Sequence, residues 1–372
     1  MKIAIMTVPF NNNYGGFLQA YALKTVLNNM GHSTIFIMRR RNRPDRYINL
    51  KSWLLGLTNH LYYLDDIHLY RISKYTRRFQ KKYLYPYTKD YYDSKSLHEC
   101  RNLDADCFIA GSDQCWRYIY AENISDFFFN FLAGSNKKRI SYAASLGTTE
   151  LEYDDYMLEK CRDLLAEFSA ISVREKSGAQ LLVDKFGVGE NNVNVVLDPT
   201  MLLNEDNYKV LFKNVKRKNY DYIFSYILDD SEEKSNLLNY ISNQKNLPVI
   251  CQKAQGLGNV RKEKIIEPVE LWLSRIYHSS FVVTDSFHGC VFSILFNKPF
   301  VVYGNIDRGM ARFEHLLQLF HLESRYVDEE HPYNYNMSEI NWQMVNEIMV
   351  EERKKSLLFL KNAIGYRVQK DI

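Results

Sequence analysis

The sequence has little net charge and no long apolar run. Its 372 residues carry 48 Lys and Arg against 44 Asp and Glu, a formal net charge of +4, which argues against a protein whose main ligand is nucleic acid. No run reaches the length of a membrane span, and the apolar N-terminus, Met1–Ile5, is too short for a signal peptide. We therefore expect a cytoplasmic protein and leave open its attachment to the inner face of the membrane.

The cysteine spacing excludes further kinds of site. The six cysteines contain no Cys-x-x-Cys pair, and several of them lie in apolar runs. No cluster of His, Cys, Asp or Glu has the spacing of metal ligands. We expect buried thiols in a reducing compartment, no metal and no cofactor.

What the sequence does contain is a repeated alternation of apolar runs and helical segments. The run Phe281–Thr284 ends in a polar turn, Asp285–Gly289, and the apolar runs Cys290–Phe296 and Phe300–Tyr303 follow. Strand, turn, helix and strand form one β-α-β unit of a parallel sheet. His288 then lies at the carboxyl edge of the sheet, where open α/β folds bind ligands and a helix N-terminus favours anions.

The same alternation runs through the rest of the chain. Lys2–Thr7 predicts a first strand, Pro9–Gly16 a polar loop and Thr34–Met38 the next strand, with a helix between loop and strand. Later strands also end in polar clusters, which a parallel sheet gathers at one edge. We expect an α/β protein with two Rossmann-like domains, residues 1–200 and 201–372, a central cleft and a long terminal helix.

A basic and aromatic insertion interrupts the first domain at about residues 40–100. Arg39–Arg46 reads RRRNRPDR and Arg71–Lys82 reads RISKYTRRFQKK, and the aromatic segment around them favours helix. One interpretation is a helical insertion whose charges are solvated. The other is a surface that meets anionic lipid or a diphosphate-linked substrate.

Six short motifs together resemble the polysaccharide pyruvyl transferase family over most of the chain. They are Asn13–Gly16 with Leu18–Leu23, Gly111–Gln114 with Trp116, Ser141–Gly147, Ser172–Glu175, Asp198–Thr200 and Asp285–Gly289. The resemblance implies a glycosyltransferase-B-like arrangement of the two domains. It also implies an enzyme that moves the pyruvyl group of phosphoenolpyruvate onto two hydroxyls of a surface-polysaccharide precursor, with formation of a ketal.

The resemblance also implies roles for individual residues. Arg174 would hold the donor carboxylate or phosphate, His288 would contact the phosphate and act as an acid, and Asp113 is a candidate base. The donor-binding set comprises Arg174, Ser286, His288, Gly289 and Arg312. The acceptor-binding set comprises Tyr14, Gly15, Gly16 and Gln114. The acceptor is a sugar, and its attachment to a lipid diphosphate is left open.

One position departs from the family pattern. Members often carry Arg-Leu-His-Gly where this chain has Ser286-Phe287-His288-Gly289, so a donor-binding cation is missing. Arg312 or Arg308 could replace it. Because of this departure, two other functions stay open: a glycosyltransferase that uses a nucleotide sugar, and a non-catalytic sugar-binding subunit of a polysaccharide assembly complex.

Structural roles compete with these functional ones. Arg174 could form an ion pair with Glu175, and Asp113 could cap the segment that follows it. Asp198 is expected to shape the turn with Pro199 at the domain junction. Trp116 is expected to pack in the core.

Overall fold

The computed structural model describes residues 1–10, 12–40, 68–252, 265–304, 309–333 and 338–365. These residues form two five-stranded parallel sheets with helices between the strands, which confirms the predicted α/β class. No helix in this part of the chain is both long enough and apolar enough to cross a membrane.

The first sheet has the strand order β3-β2-β1-β4-β5. Its strands are β1 (Lys2–Met6), β2 (Ser33–Arg39), β3 (Tyr87–Tyr91), β4 (Cys107–Ala110) and β5 (Lys138–Ser141). The pair β6 (Ile171–Val173) and β7 (Val193–Val195) continues it, because parallel bridges join Ile140 to Ala170 and Ala144 to Val173. The helices of this half are α1 (Tyr14–Asn29), α2 (Lys74–Phe79), α3 (Ser94–Leu97), α4 (Asp155–Ala166) and α5 (Lys176–Asp184).

The second sheet has the order β12-β11-β10-β8-β9. Its strands are β8 (Ile223–Tyr226), β9 (Val249–Cys251), β10 (Phe281–Thr284), β11 (Phe300–Tyr303) and β12 (Tyr326–Val327). The helices that accompany it are α6 (Glu205–Phe212), α7 (Glu232–Lys245), α8 (Val269–His278), α9 (Phe287–Leu295) and α10 (Ala311–Leu319). Strands β10 and β11 have the bounds that the sequence predicts.

The last helix, α11 (Trp342–Ile364), continues without a break through the charged run Glu351–Lys355. It packs against the segment that joins the two sheets: the Leu197 amide donates to Ser356 Oγ at 2.9 Å, and Arg353 Nε donates to the Met201 carbonyl at 2.8 Å. The terminal helix therefore contacts the end of the first half of the chain. The domain division at residue 200 stays a prediction.

Both sheets contribute to one apolar cluster. It contains Ile5 and Leu23 from the first half and Phe292 and Val302 from the second. Trp116 is fully buried and stacks on Phe128 at 4.8 Å between ring centroids, as expected. All six cysteines lie in the described part of the chain, where none forms a disulfide and five are buried.

The basic insertion is described only in part. Residues 41–67, which include most of the first basic run, and Arg308 lie outside the described residues. The second basic run contains α2 and one π-helical turn, Gln80–Leu84. Strand β3 follows it, at an edge of the first sheet that the sequence did not predict.

Candidate active site

His288 lies in the first turn of α9, directly after β10. Ser286 caps this helix, because its Oγ accepts a hydrogen bond from the Gly289 amide at 3.3 Å. A Cβ at Gly289 would lie 2.3 Å from Thr284 Oγ1, so only glycine lets the helix close against the strand end. Ser286 and Gly289 thus fix the position of His288, and contact of either with a donor stays a prediction.

The His288 ring is enclosed between the two halves of the chain. The residue is 5% exposed, and its Nε2 lies 3.6 Å from Asp198 Oδ2. On the other side, a Cβ at Gly15 would lie 2.0 Å from His288 Nδ1. Gly15, at the start of α1, therefore contacts His288, so two motifs that are distant in the sequence meet in the fold.

Asp198 connects His288 to the first half. Its Oδ1 accepts hydrogen bonds from the Thr200 amide at 3.0 Å and the Thr200 hydroxyl at 2.7 Å, which is the expected turn. Its Oδ2 accepts a hydrogen bond from Arg174 Nη1 at 2.7 Å. Burial alone would raise the pKa of Asp198, but the contacts with His288 and the charge of Arg174 outweigh burial and hold that pKa well below its usual value. The sequence analysis assigned Asp198 only the structural role and missed this one.

Arg174, at the end of β6, is surrounded by carboxylates. Besides Asp198, its Nη2 lies 3.4 Å from Asp113 Oδ1, and its Nε lies 3.8 Å from Glu175 Oε2. Burial tends to lower the pKa of Arg174, yet the three carboxylates raise it above its ordinary value. The alternative of an ion pair with Glu175 is therefore part of a larger network.

Asp113 has a left-handed backbone, with a φ of +71°. Such a conformation in a non-glycine residue is uncommon and occurs often at functional sites. The fully buried Gln19 supports the turn, because its Oε1 accepts from the Ser112 amide at 3.2 Å and its Nε2 donates to Thr7 Oγ1 and the Gly16 carbonyl. Gln19 was missed as a site residue, although it stands in one of the quoted motifs.

Glu175 is a second buried residue that the predicted site lacks. Its Oε1 accepts hydrogen bonds from Ser145 Oγ at 2.8 Å and the Gly147 amide at 3.2 Å. It thereby joins the loops that follow β5 and β6. The only feature of the sequence that could have indicated Glu175 is its position in the motif Ser172–Glu175, next to Arg174.

Arg312 brings a second guanidinium to the site. It is buried near the start of α10, 5.3 Å from the ring centroid of Phe287, and Arg174 lies 4.3 Å from the same centroid. Burial and the charge of Arg174 lower the pKa of Arg312 to about 10. A cavity of about 260 Å³ adjoins both arginines, Asp198, Phe287 and His315. Arg312 thus shares the Phe287 ring and the cavity with Arg174, and its role as the replacement cation stays a prediction.

The other predicted acceptor residues lie at the junction of the two halves. The buried Tyr14 hydroxyl donates to the Glu267 carbonyl at 2.9 Å and accepts from Gln252 Nε2 at 2.8 Å. The Gln114 amide packs against Gly147, where a Cβ would lie 2.0 Å from Gln114 Nε2. Gly16 has more space, since its Cβ would meet only Asn13, at 3.8 Å. An acceptor role for these residues stays a prediction.

The fold is of the glycosyltransferase-B type, as comparison with solved structures shows. S. aureus MnaA in a co-structure with UDP superposes with a TM-score of 0.56 at 13% identity, over 99% of this chain and 98% of that one. The UDP-GlcNAc 2-epimerase of Methanocaldococcus jannaschii, in complex with UDP-GlcNAc and UDP, superposes with a TM-score of 0.50 at 10% identity, over 99% of this chain and 100% of that one. The Neisseria meningitidis UDP-GlcNAc 2-epimerase bound to UDP-GlcNAc superposes with a TM-score of 0.50 at 9% identity, over 98% of this chain and 94% of that one. At these identities the likeness shows the glycosyltransferase-B-type fold alone, as expected.

Sequence similarity is more specific. The family model described as polysaccharide pyruvyl transferase matches residues 13–308, and the chain belongs to this family. The protein is thus placed among transferases of polysaccharide biosynthesis. No curated protein matches the sequence.

Proposed function

We propose that the protein transfers the pyruvyl group of phosphoenolpyruvate to two hydroxyls of a sugar in a surface-polysaccharide precursor, forming a pyruvate ketal. The observation that carries the proposal is the meeting of His288, Asp198 and Arg174 beside Gly15, with Arg312 as a second cation. Family membership supports the reaction class. The site supports the residue roles, because it combines anion-binding groups with groups that can exchange protons.

The donor is proposed to bind beside the two arginines. Phosphoenolpyruvate carries a carboxylate and a phosphate, and guanidinium groups bind both in bidentate fashion. Arg174 and Arg312 lie close enough for the charge of one to lower the pKa of the other, so a bound dianion would relieve their repulsion. The adjoining cavity has an aliphatic wall, including Leu316 and Leu319, that suits the methylene end of the donor.

His288 and Asp113 are proposed to move the protons. His288 delivers a proton to the methylene carbon while the first sugar oxygen bonds to the adjacent carbon and its hydroxyl loses a proton to Asp113. The bond from that carbon to the phosphate oxygen then breaks, and phosphate leaves with the bonding electrons. The second hydroxyl adds to the same carbon and gives its proton to the His288 imidazole, which gave up its own proton in the first step. The buried Asp198 carboxylate, 3.6 Å from His288 Nε2, orients the ring.

Mixing the protein with phosphoenolpyruvate and a panel of β-galactosides and N-acetylhexosaminides tests this function. We expect phosphate release in equal amount to a product that carries the pyruvyl carbons. A protein that releases no phosphate across the panel and does not bind phosphoenolpyruvate contradicts the proposal. A rise in melting temperature with nucleotide sugars but not with phosphoenolpyruvate would favour the glycosyltransferase alternative.

Arg312→Gln is expected to weaken donor binding more than turnover. The change removes one of two guanidiniums at the cavity, and the KM for phosphoenolpyruvate should rise at least about tenfold, the equivalent of 1.4 kcal/mol. Arg312→Lys keeps the charge but loses the bidentate geometry, so its KM for phosphoenolpyruvate should lie between those of Arg312→Gln and the wild type. Initial rates of phosphate release at varied donor concentration measure this. An unchanged KM in Arg312→Gln would remove Arg312 from the donor site.

Gly15→Ala and Gly16→Ala form a matched pair. The methyl group at Gly15 would displace the His288 ring, whereas at Gly16 it makes an ordinary contact. We expect Gly15→Ala to lower kcat by roughly 10²-fold, the typical effect of a misplaced catalytic group. Gly16→Ala should leave kcat within about twofold, and the predicted contact of Gly16 with the acceptor would instead change the KM for the acceptor. Because alanine favours helix over glycine by up to about 1 kcal/mol, Gly16→Ala should not lose stability. Equal kinetics in the two variants would contradict the assigned contact.

A diphosphate-linked acceptor and contact with the inner membrane face remain proposals. They are supported by the basic surface of α2 and the turn after it, where Lys74, Arg78, Lys81 and Lys82 are exposed. Each such basic residue near an anionic membrane contributes about 1 kcal/mol to the free energy of membrane binding. We expect co-sedimentation with vesicles rich in phosphatidylglycerol, and loss of it in the triple variant Lys74→Glu, Arg78→Glu, Lys81→Glu. Equal sedimentation with neutral vesicles would exclude this surface.

A further inference from the structure

A second cavity lies at the carboxyl ends of β8 and β9, outside the arginine-histidine cluster. Its volume is about 510 Å³, within the roughly 300–1,000 Å³ typical of small-molecule sites. Buried Ser225, Lys234 and Gln252 line it together with the partly exposed Ile227 and Leu238. Parallel sheets commonly bind ligands at this edge. The position and the polar lining make this cavity a candidate binding site.

The chemistry of the lining favours a neutral ligand rich in hydroxyl groups. Lys234 Nζ donates to Asp285 Oδ2 at 2.9 Å and to the Asp229 carbonyl at 2.8 Å, so its charge is already balanced. An exposed carboxylate, Glu232, stands at the rim. It would repel phosphate but accept hydrogen bonds from sugar hydroxyls. None of the described residues that line the cavity is aromatic, so none of these residues offers a ring on which a nucleobase could stack.

Two contacts connect this cavity to the candidate active site. Lys234 pairs with Asp285, which lies three residues before His288 and also accepts from the Leu228 amide at 2.6 Å. On the other side, Gln252 donates to the Tyr14 hydroxyl, and the neighbouring Gly15 packs against His288. A ligand in the cavity would therefore lie next to both motifs that enclose the histidine.

We propose that this cavity is a subsite for neutral sugar residues of the acceptor, adjacent to the sugar that receives the pyruvyl group. The assignment to the acceptor rests on the proposed function, whereas sugar binding in the cavity does not. The subsite would select a glycan longer than one residue. It would also give the second half of the chain a part in acceptor recognition, which the sequence analysis assigned to the first half alone.

A glycan array and one pocket-filling substitution test the subsite without turnover. Ser235 lines the cavity from the exposed face of α7, and Asn236 is exposed on the same helix but does not line the cavity. We expect the wild type to bind a group of neutral glycans on the array. Ser235→Trp should lower the affinity for the best of them at least tenfold, and Asn236→Trp should leave it unchanged. Cys251→Trp, from the edge strand β9, fills the same cavity from the other side and should repeat the loss.

Three results would overturn the proposal. The wild type would bind no neutral glycan, glycan binding would survive both filling variants, or the filling variants would instead abolish binding of UDP, which would assign the cavity to a nucleotide. Absence of phosphate release from phosphoenolpyruvate refutes the proposed reaction but leaves the array result standing, so the two failures can be told apart. Thermal unfolding of each variant shows that it is folded.

Discussion

His288→Asn is expected to lower the rate of phosphate release from phosphoenolpyruvate by roughly 10²–10⁴-fold, the usual contribution of a general acid or base, while the protein remains folded. The stability should change little, because Asp198 keeps its ion pair with Arg174 at 2.7 Å when the imidazole is removed. No buried charge is left without a partner. Single-turnover phosphate release and the thermal midpoint measure the two effects separately.

His278→Asn is the matched control for this substitution. His278 lies in α8, where its ring contacts Ser274 of the same helix, and it touches none of the residues of the candidate site. We expect rates close to wild type for this control. A His288→Asn protein with near-normal turnover would exclude His288 from the chemistry, and one that does not fold would assign it to the core.

Asp198→Asn is expected to have the largest effect on stability. The substitution removes the carboxylate closest to the buried Arg174, and loss of one partner of a buried ion pair costs about 3–5 kcal/mol. Because Arg174 keeps Asp113 and Glu175 within 4 Å, we expect the lower end of this range. Turnover should fall as well, since His288 loses the group that orients it. Urea unfolding at neutral pH measures the stability. Asp163→Asn, an exposed residue of α4, is the control and should change it little.

The lowered pKa of Asp198 also makes the stability of the protein depend on pH. The pKa of Asp198 is lower in the folded protein than in the unfolded chain, so the unfolded state takes up the proton first. Its contribution is complete above the ordinary aspartate pKa of about 4 and is lost as the pH falls through the folded value. The difference in the free energy of unfolding between wild type and Asp198→Asn should therefore be constant above about pH 5 and become smaller below about pH 4. A difference that does not change in acid would contradict the assigned ionisation.

The fold could be predicted where local signals agree. Strands β10 and β11 are buried runs of β-branched and aromatic residues between polar turns, and both have the predicted bounds. Strand β3, YTKDY, is half polar and lies at a sheet edge, so its pattern does not distinguish it from a loop. Strand β12 has two residues and is defined only by its pairing with β11.

The candidate site was predictable by motif but not by contact. The Asp-Pro-Thr turn of Asp198 is visible in the sequence, yet its ion pair with Arg174 and its contact with His288 bridge residues 24 and 90 positions away along the chain. Gln19 and Glu175 act in the same way, through backbone amides of loops that only the folded sheet brings together. Sequence reasoning therefore found the groups that could do chemistry and missed those that hold them.

Phosphoenolpyruvate is proposed as the donor, bound beside Arg174 and Arg312. Isothermal titration of the wild type and Arg312→Gln with phosphoenolpyruvate, without acceptor, tests this proposal most directly. We predict saturable binding of one donor per chain to the wild type, weakened at least about tenfold in the variant, the equivalent of 1.4 kcal/mol. No binding to the wild type, or equal binding to both proteins, would contradict the account.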